Sequence, residues 1–138
     1  MGLEEYYDEL KRAVDGLSYE ERRFMPGPDS HHIDFAVWHI ARVEDVWINR
    51  FAKQAVDQVW GRGDWAERLN LPVKQIPGFG PESGWGWSGE QVRDMPASEM
   101  SDLWAYLNAV RADTLLYLDS ITEDDLDRCP DAKQTTYS

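Results

Sequence analysis

Apolar positions recur at spacings of three and four through three long stretches of the chain, the period of amphipathic helices. The first stretch, "LEEYYDELKRAVDGL", aligns Leu3, Tyr6, Leu10, Ala13 and Leu17, leaving Glu4, Glu5, Asp8 and Lys11 outside the stripe. Gly16 weakens its end. Ser18 followed three residues later by Glu21 has the spacing of a capping box, which predicts a short helical turn before Pro26 and Pro28 open a loop. The second long helix is predicted from an N-cap at Asp29 or Ser30 to about Gln58, with Ile33, Ala36, Ile40, Val43, Trp47 and Phe51 as its stripe. Val37, Val46, Ile48 and Ala55 broaden that stripe, so this helix should meet partners on more than one side, as in a bundle. The third helix is predicted to begin near residues 96–98 and to align Met100, Leu103, Leu107, Val110, Thr114, Leu118 and Ile121. Thr122 with Asp125 then caps a short turn that Pro130 ends.

Between the second and third helices the character changes. Residues 61–96 carry seven of the ten glycines and four of the seven prolines, together with Trp65, Trp85 and Trp87, and Trp60 stands at the edge. "DWAERLNL" can form a helical turn or two, and "SGEQ" is a second capping box. Structureless linkers are poor in aromatic residues, so this stretch reads as an ordered crossover whose aromatics cover one end of the bundle. There is no internal repeat and no alternating pattern long enough for a strand. The expectation is a single all-α domain over residues 1–138.

The 14 basic and 26 acidic residues leave a net charge of −12. Nucleic acids and anionic membranes are bound by basic stripes that release counterions from phosphate, and the basic residues here are scattered among acids. Neither partner is expected. No apolar run approaches the roughly 18 residues of a membrane span, and "MGLEEYYDEL" has no basic start or apolar core of a secretory signal. The lone cysteine, Cys129, suits a reducing compartment, so a cytoplasmic location is expected. Its acidic surroundings, "EDDLDRCPD", oppose the lowered pKa that a nucleophilic thiol needs.

The candidate chemistry rests on histidine. His32 and His39 are seven residues apart and share a side of the helix. About 10.5 Å of rise separates them, whereas a metal–nitrogen bond is about 2.1 Å long, so they cannot hold one ion together. His31 and His32 read as a solvated pair at the helix start. His39 lies beside the apolar seam and leaves two readings open: a core histidine whose nitrogens bond backbone or carboxylate, or one ligand of a metal site. Glu44, five positions on, points away from it and reads as an exposed or partner-contacting carboxylate; Arg42 and Asp45 read as solvated face. Trp47 and Arg50, on the same side as His39, are candidates to line a pocket mouth. The glycines of "GFGPESGWG" lack the preceding strand of a phosphate-cradling loop, and no G-x-S-x-G occurs.

The stretch "LSYEERRFMPGPDSHHIDFAVWHIARVEDVWINRF" resembles the DinB-like (DNA-damage-inducible) superfamily, which also takes in thiol-dependent S-transferase-like bundles. That family pairs an "L-S-x-E-E/D" turn with a second helix bearing W-H-h-x-x-h-E, where h is apolar, matched here by Trp38, His39, Ile40, Val43 and Glu44. "LWAYLNAVRADTLLYLDSITEDDLDR" resembles its third helix and following turn. The resemblance implies an up-down-down-up four-helix bundle with a long crossover between helices two and three, often homodimeric. It also implies a divalent metal, zinc or nickel, held by a helix-two histidine, here His39, and by two helix-four histidines spaced H-x-x-x-H. No H-x-x-x-H occurs in this chain. "TTYS" reads as the lead-in to a last helix with Thr135 or Thr136 as N-cap, so the chain is expected to be C-terminally truncated. The function implied is metal-dependent transfer of a low-molecular-weight thiol to a small electrophilic substrate, or its hydrolysis. The rival expectation is a non-catalytic helical dimerisation module.

Overall fold

The structure, a computed structural model, describes residues 3–54, 58–71 and 83–121. Within them the regular elements are helical: α1 (Leu3–Val14), α2 (Tyr19–Arg22), α3 (Ile33–Asp45), a π-helical continuation (Val46–Ala52), a 3₁₀ turn (Val59–Gly61), α4 (Trp65–Arg68), α5 (Gly89–Arg93) and α6 (Met100–Ser120). The all-α class is as expected, and no strand is present among the described residues. No helix among them is long and apolar enough to cross a membrane. The predicted turn after Thr122, Cys129 and the 135–136 cap lie outside the described residues.

Both capping boxes form. The Ser18 hydroxyl accepts from Glu21 N–H at 3.1 Å while Ser18 N–H donates to the Glu21 carboxylate at 2.9 Å, and Ser88 with Gln91 repeats the arrangement at 3.2 and 2.9 Å. Each satisfies two otherwise orphaned donors of a one-turn helix. The second long helix differs from its prediction at both ends. Ser30 turns its hydroxyl back on the Gly27 carbonyl (2.7 Å), and His32, extended at φ −96 and ψ 170, is the N-cap. The helix ends at Ala52 rather than Gln58, and Gln54 at φ +54 has left the helical path.

The core is built chiefly between α3 and α6, closed by the crossover. From α6 come Leu103, Leu107 and Val110, all on the predicted stripe, with Tyr106 beside them; farther on, Leu118 is exposed. From α1 come Tyr7, Leu10 and Val14, a face rotated from the predicted one so that Ala13 is exposed. In α3 the rotation matters more. Ile33, Ala36, Ile40 and Val43 are only half-buried and Trp47 is exposed, whereas Phe35, Trp38, Ala41, Arg42, Asp45 and Val46 are fully buried. The inner face therefore carries charge, and the predicted apolar stripe forms its rim except at Phe51, which is buried as expected. The crossover contributes Trp60, Leu69, Leu71 and Val92, with Trp87 packed against the core.

Candidate functional site: His39 and the buried network beside it

Helix α3 projects His39 toward the crossover turn at 83–87. One face of its ring lies parallel on Phe35 (centroids 5.3 Å apart, planes 11° apart), four residues earlier on the same helix. His31 also meets Phe35, at 4.5 Å but with its plane tilted by 54°. The edge of the ring meets the Ser83 carbonyl, 2.6 Å from Nδ1. A carbonyl can only accept, so Nδ1 is the protonated nitrogen and the lone pair of neutral His39 is on Nε2. Nε2 has no hydrogen-bond partner among the described residues. Imidazoles that bind metals commonly use this arrangement, donating the other ring N–H to a backbone carbonyl.

Gly84 makes the contact sterically possible. Its φ is +90, and a Cβ there would come within 2.9 Å of Trp38, 3.0 Å of His39 Nδ1 and 3.0 Å of Phe35. Trp87 closes the other side, with its ring 5.4 Å from Phe35 and 5.2 Å from Trp38. Trp85, between the two left-handed glycines Gly84 and Gly86, is 62% exposed.

One turn farther along α3 lies a polar network that is buried rather than solvated. Arg42 and Asp45, expected on the solvated face, are both 0% exposed. The Asp45 carboxylate accepts from the N–H groups of Val59 and Trp60 and from Asn49, each at 2.8 Å, and from the Tyr106 hydroxyl at 2.7 Å. Arg42 stands 3.5 Å from the same carboxylate and donates to Gln58 at 3.1 Å, with its guanidinium over the Trp60 ring. Burial, then the charge of Asp45, pushes the Tyr106 phenol well above its ordinary value, so it stays a donor. Four donors around one carboxylate satisfy it, and the arrangement reads as a clasp between α3, α6 and the start of the crossover. Arg42, Asp45 and Asn49 follow Trp38 and Ala41 at helical spacing, but it is the backbone of residues 59 and 60, brought in by the fold, that buries them.

The other candidates are placed as follows. Glu44 is half-buried and clamps α6, accepting from Arg111 at 2.8 and 3.0 Å and from Thr114 at 2.8 Å. His32, expected in solvent, is 2% exposed: its Nδ1 accepts from Phe35 N–H at 3.0 Å and its Nε2–H donates to the Val92 carbonyl at 2.9 Å. That cap needs a neutral ring, and burial, aided by the Arg23 charge, lowers the His32 pKa below its usual 6.5. Asp34 next to it is buried against Arg22 (3.0 Å) and Arg23 (3.8 Å). Trp47 and Arg50 belong to the π-helical stretch, and both stand against Phe51. The open clefts at Tyr19–Arg68–Asp102 and at Tyr7–Asn108–Leu115 are lined by other residues. Among the described residues no three His, Cys, Asp or Glu side chains gather where a metal could sit.

These elements define an all-helical bundle in which a histidine of a central helix is oriented by the turn that crosses over it. The chain belongs to the DinB superfamily, whose family model matches residues 3–137. It is similar in fold to a conserved protein of Enterococcus faecalis known from its crystal structure, with a TM-score of 0.71 and 23% identity over 88% of this chain and 68% of that one. No curated protein matches the sequence.

Proposed function

We propose that the protein binds a divalent metal ion, zinc or nickel, through Nε2 of His39, its remaining ligands lying outside the described residues. The observation that supports this is the Ser83 carbonyl on Nδ1, which leaves the opposite nitrogen with its lone pair available on a ring held between Phe35 and the crossover. Bound there, the ion would supply Lewis acidity that makes a low-molecular-weight thiol or a water nucleophilic toward a small electrophilic substrate. In that reading His39 holds and orients, and Trp85, Trp47 and Arg50 are the groups a substrate would meet at the rim. Metal-stripped protein titrated with zinc or nickel should take up one ion per binding site, and His39→Ala should abolish or strongly weaken uptake. Equal uptake by the variant discards the proposal.

A second reading, a helical module that pairs with its own copy, draws on the half-buried rim of Ile40 and Val43, the exposed Trp47, and the exposed Leu116 and Leu118. Light scattering decides it: a dimer that Trp47→Glu or Leu116→Glu converts to monomer supports it, and a monomer at all concentrations removes it.

A further inference from the structure

We infer that Gly84 is a positioning residue for His39: by lacking a side chain it lets the crossover approach closely enough to fix the ring in its Nδ1–H tautomer. Both properties of the position demand glycine. Its backbone is left-handed at φ +90, and the space a Cβ would occupy is taken by three rings at 2.9 to 3.0 Å. Two of those rings have no room to retreat. Trp38 and Phe35 are fully buried, and His39 is stacked on Phe35. A side chain at 84 must therefore lift the turn, and lifting the turn withdraws the Ser83 carbonyl from Nδ1, where it now sits at 2.6 Å. Without that acceptor the imidazole distributes its proton between both nitrogens.

The inference rests on the proposed metal site only for the use made of Nε2. The orientation itself is a property of the unliganded chain. It also makes the crossover a part of the site, since a turn 44 residues beyond His39 sets which nitrogen is free.

The test is long-range proton–nitrogen NMR on the full chain labelled with ¹⁵N-histidine, without metal, at a pH where the ring is neutral. His39 is expected as the Nδ1–H tautomer in the wild type. In Gly84→Ala a substantial Nε2–H population should appear, and zinc affinity should fall about 10- to 100-fold. Ser83→Ala keeps the carbonyl and should leave the tautomer unchanged. A wild-type His39 found as Nε2–H overturns the inference, as does a folded Gly84→Ala that keeps the wild-type tautomer. Should Gly84→Ala not fold, the wild-type tautomer decides alone. A locked tautomer that Gly84→Ala releases, in protein that takes up no zinc, upholds the positioning role and rejects the metal reading.

Discussion

At the scale of single residues, the strongest interactions belong to side chains that composition would place in water. Asp45 accepts from two backbone N–H groups, an amide and a phenol, all buried. Removing one member of such a set strands the others without solvent. Asp45→Ala should therefore cost about 3–5 kcal/mol, in the range measured when one partner of a buried charged pair is deleted. A shift in the urea midpoint with unchanged slope would measure it. His32 makes a prediction in pH. Its folded-state pKa is depressed, so the unfolded chain binds a proton more readily. Its contribution is complete above about pH 6.5, declines as pH falls below that value, and levels off once the folded-state pKa is passed. His32→Asn, which keeps a cap acceptor without the titration, should flatten that part of the stability–pH curve. Arg42, Asp45 and His32 are polar letters on a helix that has an apolar stripe elsewhere, and periodicity assigns the stripe to the core. What buries them is tertiary: the backbone of residues 59 and 60 and of Val92, which no local pattern on α3 reveals.

At the scale of elements, the local signals were legible because their physics is local. A serine and a glutamate or glutamine three residues apart can satisfy each other without help from the rest of the chain, and both such pairs form as expected. Ser88→Ala should cost about 1 kcal/mol in thermal or chemical unfolding, the usual value of an N-cap. Its neighbour Gly89 is held to a stricter condition, because a Cβ there would overlap the Pro28 carbonyl oxygen. Gly89→Ala must separate α5 from the loop before α3, and should be the more damaging of the two in the same assay. The α3 prediction ran past the true end because the apolar period continues while the backbone does not. From Val46 the helix widens to π pitch, visible in the Lys53 N–H to Ile48 carbonyl bond of 2.9 Å. That stretch turns Asn49 inward to bridge Asp45 and Arg62, at 2.8 and 3.0 Å.

At the scale of the whole molecule, the all-helical class was readable, since it follows from three periodic stretches with no alternating pattern between them. His39 was readable as a candidate through its place in the W-H-h-x-x-h-E stretch, but the partner that orients it was not. Ser83 acts through its backbone carbonyl, an atom every residue has, and only the fold brings it across. The charge of −12 belongs to this scale as well. A mobility-shift titration with duplex DNA at low salt should stay flat, because the 14 basic residues are scattered along the sequence among 26 acidic ones.

The ring-to-ring path from Phe35 through Trp38 to Trp60 and Tyr106, with Trp87 joining at Trp38, has steps of 5.1 to 6.1 Å. Indoles this near exchange excitation faster than they emit, so ultraviolet light absorbed by Trp38, Trp60 or Trp87 is shared between α3 and the crossover, and Tyr106 of α6 passes its own excitation into the same set. Fluorescence anisotropy on excitation near 280 nm thus becomes a gauge of whether the loop is seated, rising when it lifts away and transfer is interrupted.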